Sequence, residues 1–343
     1  MSNHKLISID LAKNVFQVCI LSEHNKVISN KKVTRKKLIE TVMQSDSKRI
    51  VMESCYSSNY WGREFIKLGF HVDLIPPRLV KPFLNGNKND HNDALAIAEA
   101  SMRPNIKFVP VKTIEQQDGQ CLYKIRDRLI KQRTALTNQI RGLMSEYGII
   151  FDKTVIKLRN EIPYILEDAD NELTIVSRNF LNELYEDLIN FDTKLKSIEK
   201  QSRALMKNNE EYNRLLSIPG IGEVAGSLLL TIISHPDHFK SARQFSAYLG
   251  LTPKQHSSGD QEKMLGISKR GNSTLRKNLI LGAKAVIRYC ANKKDRISLW
   301  IQSLLEKKPH NKVAVALANK IARVAWSVLK NKVDYNPSKI VTI

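Results

Sequence analysis

Two short apolar runs in this chain each stop on a carboxylate: Lys5-Leu6-Ile7-Ser8-Ile9-Asp10 and Arg49-Ile50-Val51-Met52-Glu53. Runs of this length and composition read as strands. Between them, Val15–Leu21 and Lys26–Val33 read as two further strands, which together with the first suggest an antiparallel meander. Arg35–Met43 and Asn59–Leu68 have helical spacing, and His71–Ile75 reads as a strand closed by Pro76-Pro77. Asp90–Met102 is a predicted helix with Asn89 or Asp90 at its N-terminus. Three strands followed by alternating helices and strands predict an α/β domain.

After Pro110 the texture becomes helical. In Ile114–Tyr147 the apolar residues Leu122, Ile125, Leu129, Leu136, Ile140 and Leu143 recur roughly every 3.5 residues. Leu181, Leu184, Leu188, Phe191, Leu195, Ile198 and Leu205 keep the same rhythm, which predicts a coiled-coil seam. Such a seam closes either an intramolecular helical hairpin or a dimer, and the turn between the two helices is expected near Gly148–Tyr164. From Ser217 the chain changes again: Ile218-Pro219-Gly220-Ile221-Gly222 precedes an apolar helix over Val224–Ile233. Thr252–Gly271 reads as a polar, looped stretch, followed by helices near Ser273–Cys290 and Lys312–Lys330. The expected division is 1–112 for the α/β domain, 113–209 for a helical arm and 210–343 for a mainly helical C-terminal domain.

The chain's 343 residues suffice for two or three domains, each with a core. Its 55 Lys+Arg against 34 Asp+Glu give a formal charge of +21, which favours a polyanionic partner, since each neutralised phosphate releases a counterion. No apolar stretch is long enough to span a bilayer and no signal-peptide pattern opens the sequence, so a cytoplasmic protein with no membrane partner is expected. Cys19, Cys55, Cys121 and Cys290 are scattered without a CxxC pair, which argues against zinc and for reduced thiols, mostly core fillers.

Asp10 and Glu53 end strands, and Asp90 and Asp93 stand three apart on one helix face. Brought to one sheet edge, four carboxylates would repel one another unless divalent cations bound there. Mg²⁺ prefers such oxygen ligands, and two ions can stabilise the attacking and leaving oxygens of an in-line displacement at phosphorus. Each acid also has a plain structural reading, as a strand-end turn residue, a surface acid, a helix cap or a first-turn acid. The turn at Gly220 and Gly222 resembles a helix-hairpin-helix whose amides can hold a phosphate, or a simple helix connector. Ser257 and Ser258 lie near Lys254, His256, Lys263, Lys269, Arg270, Arg276 and Lys277. A hydroxyl there is either a nucleophile toward a phosphodiester, its transition state offset by the cations, or a turn-forming group. His256 is either a base for that hydroxyl or a solvated side chain.

Taken in order, these segments resemble the DEDD-type insertion-sequence transposases related to the Piv DNA invertase, over nearly the whole length. The N-terminal marks are Ile7-Ser8-Ile9-Asp10-Leu11-Ala12-Lys13, Met52-Glu53-Ser54-Cys55 and Lys88-Asn89-Asp90-His91-Asn92-Asp93-Ala94. The C-terminal marks are Ile218–Gly222, Phe245–Pro253, His256-Ser257-Ser258-Gly259 and Ile267–Gly271. The resemblance implies an RNase H/RuvC-like first domain whose acids Asp10, Glu53, Asp90 and Asp93 bind two Mg²⁺ ions. It also implies a nucleophilic serine at Ser258, with Ser257 as the near alternative, that forms a transient phosphoserine with DNA. It further implies donor and target DNA as partners, a structured guide RNA, a coiled-coil homodimer and a tetramer when two DNA sites are joined. Asp260 departs from the pattern, where many relatives have a second glycine. A Mg²⁺-dependent structure-specific nuclease, an invertase without an RNA guide and a non-catalytic nucleic-acid-binding protein are the competing readings. A plain resolvase needs no arm and no serine-bearing C-terminal half, and the binding protein needs neither the four acids nor the serine.

Overall fold

The structure, a computed structural model, describes residues 4–84, 89–104, 106–233, 236–258 and 261–338. Lys88, Gly259 and Asp260 lie outside the described residues. Packing divides the chain into two units, Met1–Ile114 and Glu115–Ile343.

The first unit runs β1 (His4–Asp10), β2 (Val15–Ser22), β3 (Val27–Thr34), α1 (Leu38–Met43), β4 (Arg49–Glu53), α2 (Ser58–Lys67), β5 (His71–Ile75), α3 (Pro77–Val80) and α4 (Asp90–Ser101). A 3-10 turn at Arg35–Lys37 opens the expected first helix. The sheet order is β3-β2-β1-β4-β5. The meander β1-β2-β3 is antiparallel, whereas β4 pairs parallel with both β1 and β5. A parallel neighbour requires a crossover, which α2 supplies between β4 and β5. Both faces of the sheet are covered, so β1 and β4 read as nearly continuous apolar runs. On one face Ile7, Ile9, Phe16, Val18, Ile50 and Met52 pack with Trp61 and Phe65. On the other, Leu6, Cys19, Leu21, Val51 and Ile75 pack with Ala94, Ile97 and Ala98. The alanines of α4 let its backbone lie close to the sheet.

The second unit begins with α5 (Ile114–Ser145), α6 (Val155–Glu167) and α7 (Ile175–Met206). The region expected to be a turn holds a helix: Gly148 does turn, at φ +72°, but Thr154 then caps α6 by accepting from the Lys157 amide. Leu136, Ile140 and Met144 of α5 share a core with Leu158, Ile162, Leu181 and Leu188. The seam residues Leu181, Leu188 and Leu195 are therefore buried inside one chain, as the intramolecular alternative requires. Arg133 and Arg159 both pair with Asp192, and Arg126 pairs with Glu199, tying the three helices together.

The rest comprises α8 (Glu210–Leu216), α9 (Glu223–Ile232), α10 (Ala242–Tyr248), β6 (Pro253–Ser258), β7 (Gln261–Ile267), α11 (Ser273–Arg288), α12 (Arg296–Leu305) and α13 (His310–Asn331). Helix α13 buries Val313, Leu317, Ile321, Val324 and Val328 at the centre of this core. The stretch expected to be looped is instead an antiparallel hairpin, β6-β7. Every residue of β6 is exposed, so no alternation of buried and exposed positions marked it as a strand. Cys19 and Cys290 are buried as expected of fillers, Cys55 is half-buried and Cys121 is exposed. Among the described residues no helix is long and apolar enough to cross a membrane.

The α8–α9 turn packs directly on α11. Gly220 sits at φ +90°, and a methyl group added at Gly282 would overlap the Gly220 carbonyl. Gly282→Ala is expected to destabilise the protein by about 1–3 kcal/mol in denaturant unfolding, despite the better helix propensity of alanine. Gly142→Ala, at an exposed and unobstructed site on α5, is expected to stabilise it by about 0.5–1 kcal/mol. Equal effects from the two would refute the close approach.

Candidate active site

Asp10 ends β1 and Glu53 ends β4, and these strands are parallel neighbours with Ile9 beside Met52. Both acids therefore reach the same edge of the sheet. Strand alternation also sets their face: Leu6, Ser8 and Asp10 point one way, as do Val51 and Glu53, toward α4. Ser8 Oγ donates to the Ala94 carbonyl at 2.7 Å, which ties the N-terminal half of α4 to β1. Asn89, not Asp90, caps that helix by accepting from the Asn92 amide at 2.8 Å. From β2, Gln17 donates to Asn30 at 2.6 Å, and Asn30 on β3 donates to the His91 carbonyl at 3.0 Å, a second tether.

The electrostatics follow from this placement. The Asp10 carboxyl is raised to about 6, first by burial and then by the negative charges of Asp93, Glu53 and Asp90. Asp93 Oδ1 is buried without a hydrogen-bond partner. Asp90 is exposed and lies 3.3 Å from Lys32 Nζ. Burial and the charges of Glu53 and Asp10 push the Cys55 thiol up to about 11, which disfavours its thiolate. The four carboxylates thus share one edge and one field. Among the described residues, no three His, Cys, Asp or Glu side chains are drawn together tightly enough to make a finished cation cage. The orphaned oxygen of Asp93 and the crowding around Asp10 still suit a hard divalent cation that takes further oxygens from water and phosphate. Ser8, Gln17 and Asn30 support the edge but give no sequence signal, since polar residues on strands are usually solvated.

On the hairpin, Ser258 pairs with Gln261 in the last described rung, Ser257 with Glu262 and His256 with Lys263. Alternation places Ser258 on the same face as His256 and Lys263. Ser257 faces the other way, where its hydroxyl accepts from Gln255 at 3.0 Å and Glu262 stands opposite. Ser258 therefore shares its face of the strand pair with His256 and Lys263. Lys254, Lys269 and Arg270 are exposed around the hairpin's base.

Arg276 does not join that surface. It is buried, and its Nη1 donates at 2.9 Å to both the Leu249 and Arg270 carbonyls. This corrects the reading of Arg276 as a nucleic-acid contact: it clamps the hairpin root. Gly250 (φ +71°) and Gly271 (φ +75°) complete the root, where a side chain on Gly250 would run into the Lys269–Arg270 backbone and one on Gly271 into the Tyr248 carbonyl. The two turn glycines likewise have packing roles. Gly220 is pressed on α11, and Gly222 caps α9, whose first residue, Glu223, pairs with Arg203 at 2.7 Å. A carboxylate at that helix start opposes a phosphate there. On α5, Arg126 and Arg133 are ion-paired. Arg35 lies 5.0 Å over the Trp61 ring and donates to the Lys13 carbonyl.

A family model described as a DEDD-type transposase of the IS110 group matches residues 7–149, and one described as the transposase IS116/IS110/IS902 family matches residues 212–297. The chain is 44% identical to the transposase for insertion sequence element IS1111A of Coxiella burnetii, over 98% of this chain and 92% of that one. It is 40% identical to a probable family 20 transposase of Pseudomonas aeruginosa, over 98% and 99%. It is 22% identical to the pilin gene-inverting protein of Moraxella lacunata, over 94% and 95%.

The acid cluster makes a prediction about pH. Folding raises the Asp10 carboxyl from its ordinary 3.8 to about 6, so the folded state holds the proton more tightly. The stability this confers is complete below about pH 4 and is lost as pH rises through 6. Without divalent cations, Asp10→Asn should therefore gain in melting temperature over the wild type between pH 4.5 and pH 7.5. Adding Mg²⁺ at pH 7.5 should favour the wild type. A wild-type-to-variant difference that ignores both pH and Mg²⁺ would contradict the shared field.

Proposed function

The chain belongs to the IS116/IS110/IS902 family of insertion-sequence transposases, enzymes that cut and join DNA, and from that membership we propose that it does so with a carboxylate-held metal centre and a serine nucleophile. The observation that carries this reading is the field at the sheet edge, where three other acids act on Asp10 and Asp93 keeps an unpartnered oxygen. DEDD transposases typically depend on divalent metal, and we assign two Mg²⁺ ions to Asp10, Glu53, Asp90 and Asp93 in an RNase H/RuvC-like domain. Bound there, the ions supply charge stabilisation to the oxygens that enter and leave phosphorus.

In this reading the Ser258 hydroxyl attacks a DNA phosphate. The Oγ–P bond forms as the bond from phosphorus to one strand oxygen breaks. The serine's proton is released, and the departing hydroxyl takes up a proton. The phosphoserine preserves the phosphodiester's energy, so a second strand end can reverse the step and be joined. His256 and Lys263, on the same hairpin face, are suited to receive the proton and to balance phosphate charge. Lys254, Lys269 and Arg270 are assigned to the DNA backbone.

The finer assignments rest on the resemblance and on the charge of +21. They are a structured guide RNA that selects donor and target DNA, a homodimer and a tetrameric synaptic complex. The second unit is read as an arm over 113–209 and a C-terminal domain over 210–343. Because Leu181, Leu188 and Leu195 are buried within the chain, dimer contacts on the arm would use its exposed Ile150, Ile156, Tyr164, Ile175 and Val176.

Ser258→Ala is expected to abolish strand exchange in a two-plasmid recombination assay while DNA and RNA binding persist, and Ser257→Ala to retain exchange. Normal recombination by Ser258→Ala would remove the serine assignment. Asp10→Asn and Asp93→Asn should each lose Mg²⁺-dependent cleavage by about a hundredfold or more, and metal-independent cleavage by the wild type would remove the carboxylate assignment. Sequencing RNA that co-purifies with the protein tests guidance, and site-specific exchange by RNA-free protein would exclude it.

A further inference from the structure

Partly buried cations elsewhere in the second unit have partners: Arg133 and Arg159 share Asp192, Arg126 takes Glu199, and Arg276 takes two carbonyls. One group does not follow this rule. Lys320 and Arg323 are three apart on α13, so they project from one side, and α13 packs against α10, which carries the exposed Arg243. Arg323 is half-buried, and its Nε is shielded from water without a hydrogen-bond partner. Lys320 is also half-buried, with its Nζ 5.0 Å over the Trp300 ring of α12. Burial and then Arg243 hold Arg323 below its ordinary value, and burial and then Arg323 do the same to Lys320. Among the described residues, none of the three has a carboxylate within ion-pair reach.

Like charges held together and partly desolvated oppose folding. Burying such cations without acids makes physical sense where an anion completes the group. Two guanidiniums and an ammonium are suited to the tetrahedral oxygens of a phosphate, the former as planar forks and the latter as a mobile point charge. The site also lies close to the hairpin: Asn319, next to Lys320, donates its side-chain amide to the Leu251 carbonyl at 3.2 Å, two residues before β6 begins. We propose that Arg243, Lys320 and Arg323 form a site for a backbone phosphate of a DNA or RNA strand, on the face where α10 packs against α13. It is independent of the carboxylate and serine assignments, because it concerns binding without chemistry.

The test uses the full-length protein in EDTA, with fluorescence anisotropy on a DNA duplex and on an RNA of equal length across a salt series. Arg243→Gln and Lys320→Gln should each weaken binding roughly five- to tenfold and lower the slope of log K against log salt by about 1. Neither should lower the melting temperature of the free protein, since each removes a like charge. Loss on DNA alone or on RNA alone identifies the strand bound, and either result supports the site. Unchanged slopes on both would overturn it. So would an equal loss from Lys194→Gln, an exposed lysine on α7, which would reduce the effect to net charge. A fall in melting temperature that parallels the fall in binding would mean that the three cations serve only the fold.

Discussion

Burial of Asp10 beside three other carboxylates at one end of the first sheet is the constraint on which the first unit turns. Parallel pairing of β1 with β4 puts Asp10 and Glu53 side by side, and the bond from Ser8 to the Ala94 carbonyl brings Asp90 and Asp93 to the same edge. An apolar core on each face of the sheet holds the strands in that register. The stability of those cores lets the fold carry an Asp10 carboxyl raised to about 6 and a buried, unpartnered oxygen on Asp93.

In the second unit an exposed pair of strands stands on a firm base. The strands β6 and β7 bury almost nothing, so their position depends on their root. There Gly250 and Gly271 let two backbone segments touch, and Arg276 bridges the Leu249 and Arg270 carbonyls. Behind the root, α13 supplies a central apolar helix against which α8, α10, α11 and α12 pack.

Charge in this chain divides by neighbourhood. Arg126, Arg133, Arg159 and Arg203 are tied to acids on neighbouring helices and serve the fold. Lys254, Lys269 and Arg270 are exposed, and Arg243, Lys320 and Arg323 crowd together without acids. Net charge alone treats all of these alike, but only the unpaired ones retain a strong field for a polyanion.

Much was legible in the sequence because it depends on near neighbours along the chain. Apolar runs ending in acids marked β1 and β4, helical spacing marked α4, α5, α7 and α13, and the Asp90/Asp93 interval put both acids on one face. Glycine positions marked turns correctly without revealing what pressed against them. Tertiary structure alone decided that β1 and β4 are parallel neighbours, that Leu181, Leu188 and Leu195 are buried within the chain, and that Arg276 lies inside. It also decided that Pro253–Ser258 and Gln261–Ile267 pair antiparallel, with Ser258, and not Ser257, on the face of His256 and Lys263. The physical reason is that a residue's local pattern records which side of its own element is apolar. Its partner, its burial and the sign of the charge it meets are set by segments tens to hundreds of residues away, which leave no periodic trace in the sequence around it.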